Sequence, residues 1–217
     1  FEKFLESRHE LFELSKFESV GNFKMPPALG IPILSAITPK IHQCSVFDEN
    51  IQQIDYNDSA DLFAVSFFTP QAEYAYKIAQ KLRANGKTVI AGGIHPTVMP
   101  EEAANYFDSV CVGEGENVWL EILKDAENKN LKKFYYGGSP DLTNIPIPDR
   151  SIIINKNGYD WTAKLIQVIR GCAFSCENCI LPIEYGNKYR FRSIENVLKE
   201  VASFKTKEFY IIDDSIV

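Results

Sequence analysis

The sequence predicts an α/β fold: a parallel sheet in the front half, then a second and shorter βα unit. Two observations predict it. Short apolar runs alternate with amphipathic stretches between residues 60 and 128, and the alternation resumes at residue 163 after a stretch rich in proline and glycine. Strands buried on both faces of a parallel sheet read as near-continuous apolar runs, and strand–helix alternation builds such a sheet. Composition permits it: 217 residues, 45% hydrophobic and 24% charged, are enough to bury a substantial core.

The elements follow in order. Residues 1–24 show helical spacing at Phe4, Leu5, Leu11 and Phe12, although ELFELS also suits a strand. Met25-Pro26-Pro27 is a break, Ala28 to Thr38 a helix, and CSVFDEN (44–50) a strand end. ADLFAVSFF (60–68) is a buried strand. QAEYAYKIAQKLRANG (71–86) is an amphipathic helix, with Tyr74, Ile78 and Leu82 at four-residue steps and Gly86 at its stop. KTVIAGG (87–93) is a strand, MPEEAANYF (99–107) a helix, DSVCVGEGE (108–116) a strand and ENVWLEILKDAEN (116–128) a helix. Residues 129–160 read as a linker with one hairpin. AKLIQVIRG (163–171) is a strand. RSIENVLKEVASFK (192–205) is a helix capped by Ser193, with Ile194, Val197 and Val201 on its apolar face. EFYIIDD (208–214) is a closing strand.

Charge and cysteine usage narrow the function. The net charge is −6, so no general field draws nucleic acid or anionic lipid. No run reaches the roughly 18 to 20 apolar residues that cross a bilayer, and the charged start, FEKFLESRHELFEL, is no signal peptide. Five cysteines are too few and odd in number for a secreted disulfide framework. The reading is cytoplasmic, with no nucleic-acid or membrane partner.

Ligands of parallel sheets lie beyond the carboxyl ends of the strands. Here those ends carry SFFT (66–69), GGIHPT (92–97) and GEGE (113–116), whose glycines and small hydroxyls let a ligand approach the backbone. Ordinary strand-to-helix turns would look similar taken singly. Three in succession favour a ligand.

The sharpest motif is RGCAFSCENC (170–179), in which Cys172, Cys176 and Cys179 are spaced C-x3-C-x2-C. Structural zinc wants four ligands, and no second pair stands nearby. Inert thiols or a disulfide with one free thiol fit a loop beside Arg170 poorly. Three thiolates can hold a [4Fe–4S] cube and leave one iron open.

This loop resembles the cluster motif of the radical S-adenosylmethionine (SAM) superfamily. The resemblance implies cluster ligation by Cys172, Cys176 and Cys179, with SAM on the open iron. It also implies SAM contacts around Phe174, Asn178, Asp213 and Asp214. Asn178 stands where many members carry an aromatic residue. The front half, with DEN, SFFTP, GGIHPTVMPEE and VGEGE in that order, resembles the Rossmann-like cobalamin-binding domain that precedes many radical SAM domains. That implies cobalamin contacts at Ser66, Thr69, Gly92, Gly93, His95, Glu114 and Gly115. The Asp-x-His-x-x-Gly motif that supplies a cobalt histidine is absent.

The resemblance covers residues 25–217 but only the start of the partial barrel, so a fragment of a longer enzyme is expected, inactive alone. The expected organisation is a cobalamin-binding-type domain at 1–138, a linker at 139–162, and the first βα units of a truncated radical SAM domain at 163–217. The activity implied is reductive SAM cleavage and methyl transfer to an unactivated centre of a small molecule, with a flavodoxin or ferredoxin as electron donor. The alternatives are an oxidative cyclase of the Mg-protoporphyrin monomethyl ester type, or a non-catalytic cobalamin-binding module. A tRNA-modifying member fits the acidic balance less well.

Overall fold

The computed structural model describes residues 28–153, 159, 164–205 and 208–215. The expected elements of residues 1–24 lie outside the described residues.

Strands β1 (Leu62–Ser66), β2 (Thr88–Gly92), β3 (Ser109–Gly113) and β4 (Phe134–Gly138) form one parallel sheet in the order β1-β2-β3-β4. Alternation along each strand divides the core between two faces. Phe63, Val89, Ala91 and Val110 join one cluster with Ala75, Tyr76, Ala79, Leu82, Ala103 and Phe107. Ile90, Cys111 and Tyr135 join the other with Ile122. Helices therefore cover both faces, and the α/β parallel sheet read from the sequence is the fold observed.

Helix α1 (Gly30–Ile37) precedes the sheet. Helix α2 (Ala72–Ala84) follows a single 3-10 turn at Thr69–Gln71, where Phe68 N donates to Gln71 Oε1 at 3.0 Å. Its buried stripe is Ala75, Tyr76, Ile78, Ala79 and Leu82. Tyr74, placed on that stripe from its spacing, instead faces solvent and donates its hydroxyl to Glu49 at 2.5 Å. Gly86 ends the helix with φ at 76°. The expected helix at 99–107 is two short pieces, α3 (Ile94–Val98) and α4 (Pro100–Ala103). Helix α5 (Trp119–Glu127) connects β3 to β4.

Three expectations about strands change as well. CSVFDEN makes only an isolated bridge, Val46 to Ile153, followed by a turn at Asp48–Asn50 that Asp48 stabilises through Asn50 N at 3.0 Å. FYYGG, assigned to the linker, is strand β4. It escapes an apolar-run search because alternate residues are exposed and two are glycine. Gly137 is required there, since a Cβ would lie 1.6 Å from the Glu114 carbonyl oxygen. The long strand expected at 163–171 is two, β5 (Lys164–Ile166) and β6 (Ile169–Arg170). Asp213 Oδ1 accepts from Val168 N at 2.6 Å and Ile169 N at 3.0 Å, occupying donors that a continuous strand would give its neighbour.

Strand β5 pairs in parallel with β8 (Phe209–Ile211), and β6 pairs antiparallel with β7 (Arg190–Phe191). Between them lie α6 (Leu181–Tyr185) and α7 (Ile194–Ala202). Ser193 caps α7 as expected, accepting from Asn196 N at 3.2 Å. The expected apolar face of α7 is displaced: Ile194 is 73% exposed. The fully buried residue is Glu200, with Arg150 at 2.5 Å and Arg192 at 2.6 Å. A third cluster, Leu29, Ile33, Leu142, Ile145 and Leu165, joins α1 and the stretch after β4 to β5.

Candidate functional site

The carboxyl ends of β1, β2 and β3 bring the three turns singled out from the sequence to one edge. Ser66 is level with Gly92 in the β1–β2 register. Gly93 has φ at 96°, and a Cβ there would come within 2.9 Å of Ser66 Oγ and 3.0 Å of Phe67 N and O. The adjacent Gly92 faces open space. The two glycines therefore differ in kind: Gly93 permits the turn, and Gly92 leaves room above it. Thr97 ties this turn to the next, donating its hydroxyl to Gly93 O at 2.8 Å and accepting from Gly113 N at 2.9 Å. Gly115 packs against Leu34 of α1.

His95 goes elsewhere. Its ring is buried beside Phe67, with Nε2 2.8 Å from the Tyr76 hydroxyl and Nδ1 3.3 Å from Thr69 Oγ1. Tyr76 also donates to Glu102 at 2.9 Å, and burial with that carboxylate raises its phenol pKa. The imidazole is thus engaged at both nitrogens within the core, while Ser66 and Thr69 remain exposed at the strand end.

Glu114 is buried too. Its Oε2 accepts from Arg170 Nη1 and from Arg190 Nη1, the latter at 3.0 Å, and its Oε1 accepts from Arg190 Nη2. Glu116 Oε1 accepts from the same Arg170 nitrogen at 2.7 Å. Burial works against the Arg170 charge. Glu116 and Glu114 outweigh it and hold the guanidinium pKa above its ordinary value. Sequence reasoning missed this network, because its members lie more than fifty residues apart and only the fold brings them together.

Arg170 opens the cysteine loop. Gly171 has φ at 88° and donates its N–H to Asp214 Oδ2 at 2.8 Å. Cys172 is buried and bridges to Asn187, while Cys179 N donates to Cys176 O at 3.1 Å. Cys176, Phe174 and Asn178 are exposed and Cys179 is half-buried. Asp213 and Asp214, read from the sequence as cofactor contacts, each spend one carboxylate oxygen on the backbone that enters the loop. The donor chemistry, three thiols on one anchored loop, fits an iron–sulfur cluster. The sulfurs are not gathered in this structure: among the described residues no three His, Cys, Asp or Glu side chains form a metal-holding group.

Two more titratable groups lie nearby. Burial pushes the Glu184 carboxyl up to about 7, with Asp214 and Glu114 adding to it against Tyr185 and Arg170, and its Oε2 is buried without a hydrogen bond. Cys111 packs in the core with Ile90, Ile122 and Tyr135, and burial, with Glu116, pushes its thiol up to about 11.

A family model for the B12 binding domain matches residues 29–123, the span that carries all three turns. That span is similar to B12 binding domains. It is 33% identical over 188 residues to bacteriochlorophyllide d C-8(2)-methyltransferase of Chlorobaculum tepidum, covering 84% of this chain and 42% of that protein. It is 30% identical over 207 residues to the C-12(1)-methyltransferase of the same organism, covering 90% and 45%. The chain spans about half the length of the curated relatives it matches. The fold of the chain is similar to a solved structure of TsrM, a radical SAM methyltransferase from Kitasatospora setae, with cobalamin and a [4Fe–4S] cluster bound. The TM-score is 0.67 at 16% identity, over 89% of this chain and 47% of that one. The resemblance read from the strand-end turns agrees with the match to the B12 binding domain model, and the likeness to TsrM is one of fold. Among the described residues no helix is long and apolar enough to cross a membrane.

Proposed function

We propose that this chain belongs to a SAM-dependent methyltransferase that holds cobalamin over the ends of β1–β3 and a [4Fe–4S] cluster on Cys172, Cys176 and Cys179. The carrying observation is the junction of the two candidate sites. Arg170, two residues before Cys172, is ion-paired to Glu114 and Glu116 in the turn after β3. The substrate class is a small molecule with an unactivated acceptor carbon. Methyl transfer is favoured over cyclisation because the matched relatives are named methyltransferases.

When bound, the cluster supplies the electron that cleaves SAM and the cobalamin supplies a transferable methyl group. The chain's own residues do the rest. Gly92 leaves the space above β2 open, and Ser66 and Thr69 are exposed residues at its rim, the Thr69 hydroxyl also meeting His95. Asp213 and Asp214 hold the backbone at residues 168–171, presenting the cysteine loop on that side. Phe174 and Asn178 are exposed on the loop, where a nucleoside could meet them. His95, committed to Tyr76, is not assigned to cobalt. The division into a cobalamin-binding unit to residue 138, a linker at 139–162 and a radical SAM unit beyond is part of this proposal. The two cores that flank the four-stranded sheet support it.

The test is anaerobic reconstitution with iron, sulfide and B12, followed by electron paramagnetic resonance of the reduced protein with and without SAM. A cluster signal that shifts on adding SAM, and that Cys176→Ala abolishes without removing B12, is the expected result. Zinc in place of iron, or a signal indifferent to SAM, would overturn the reading.

A further inference from the structure

We propose that Glu114 is a positioning residue for the cysteine loop: its carboxylate, held between Arg170 and Arg190, fixes the backbone leading into Cys172 against the end of β3. The inference rests on the proposed role of that loop as the cluster site.

Arg170 and Arg190 are direct partners in the β6–β7 register. Like charges directly opposite one another on adjacent strands repel, and both side chains are largely buried. A two-residue pairing has little backbone hydrogen bonding with which to resist that repulsion. Glu114 resolves it. One oxygen meets Arg190, the other meets both arginines, and Glu116 takes the remaining charge of Arg170. Two carboxylates thus balance two guanidiniums. Arg190 also donates to Pro140 O at 3.1 Å, and Arg170 Nε to Gln167 Oε1 at 3.1 Å, so neither fork is free to swing.

The carboxylate is itself well held. Strand β4 passes so close that only glycine fits at position 137 beside the Glu114 carbonyl. The loop entrance is equally tight, because a Cβ on Gly171 would lie 2.5 Å from Lys188 O. A displacement at Glu114 therefore reaches Cys172 through Arg170 and Gly171, with no soft segment between. The turn that the sequence offered to the corrin instead spends its buried carboxylate on the neighbouring loop.

The test compares the full chain with Glu114→Gln by amide hydrogen exchange before any loading, then by iron and B12 uptake. Exchange at residues 169–172 is expected to rise by about tenfold or more while Val89–Ala91 stay protected. Iron uptake should fall by about fivefold or more, with B12 uptake within about twofold of the parent. If Glu114→Gln unfolds, the charge-balanced Glu114→Gln/Arg190→Gln pair is read instead. It should fold, since the repulsion goes with Arg190, and show a smaller rise in loop exchange and a smaller loss of iron, since Arg170 keeps only Glu116. Native exchange and native iron in either variant overturn the proposal. So does loss of B12 with an unchanged loop, which would return Glu114 to the corrin. A double variant that also fails to fold overturns it as well, because Glu114 would then hold the fold rather than the loop. A parent chain that takes up no iron sinks the cluster reading alone, and the exchange data still decide the role of Glu114.

Discussion

Adjacent glycines at the end of β2 should respond in opposite ways to the same added methyl. At Gly93 the backbone has φ at 96° and ψ at −170°, a region open essentially to glycine alone, where an L side chain costs about 1–3 kcal/mol. The methyl would also press on Ser66 Oγ at 2.9 Å and on the Phe67 backbone at 3.0 Å. Backbone atoms cannot rotate aside, and overpacking of this kind costs roughly 1–3 kcal/mol. Alanine restricts the unfolded chain and returns about 0.4–1 kcal/mol. Gly93→Ala should therefore destabilise by about 1–5 kcal/mol, a fall in Tm of about 2–20 °C for a chain of this size. Gly92→Ala meets nothing within 4 Å and has no unusual φ. Its stability should stay within about 1 kcal/mol of the parent, while B12 affinity drops about tenfold or more because the methyl takes up ligand space. Denaturant unfolding and B12 titration of the two variants read both effects. Equal destabilisation by the two variants, or a silent Gly93→Ala, would refute the geometry argued for this turn. Undiminished B12 binding by Gly92→Ala would refute the placement of the ligand.

Glu200→Ala should cost about 3–5 kcal/mol in chemical unfolding, since it strands Arg150 and Arg192 around an empty buried carboxylate position. Glu184 gives a pH dependence. Its folded pKa of about 7 lies above the ordinary 4.5, so the folded state binds the proton more tightly. Its contribution to stability is present at low pH and is lost as pH rises from about 4.5 through 7. Tm of the parent should fall across that window relative to Glu184→Gln, and parallel pH profiles would count against it. His95→Gln should lower stability by about 1–3 kcal/mol through the lost Tyr76 and Thr69 contacts. It should leave the cobalt resonance spectrum of bound B12 unchanged, and a changed spectrum would place the imidazole on the metal.

The parallel sheet was legible because β1, β2 and β3 are short, apolar and separated by amphipathic stretches, a pattern that burial on both faces demands. Strand β4 was not, because its identity depends on Gly137 slipping past Glu114, a contact between residues far apart in sequence. The cysteine loop and the strand-end glycines were legible as chemistry, since spacing alone carries them. What surrounds them was not. His95 and Glu114 look like ligand-facing polar residues in a turn, and only the fold shows the tyrosine and the arginines that claim them. On α7 the period was right and the inward residue unexpected, because a glutamate becomes a core residue only when two arginines meet it.

The small apolar cluster of Leu29, Ile33, Leu142, Ile145 and Leu165 bears on how such chains can be exchanged in evolution. Its members come from before the sheet, after the sheet and the start of the next unit, so it works as a weld rather than a hinge. A recombination event that moved the sheet onto a different partner by cutting between residues 139 and 162 would leave Leu29 and Ile33 without their covering. It would also leave Leu165 bare on the other side. The two halves are therefore expected to be inherited as a matched pair, with substitutions on one side of the weld answered by compensating changes in volume on the other.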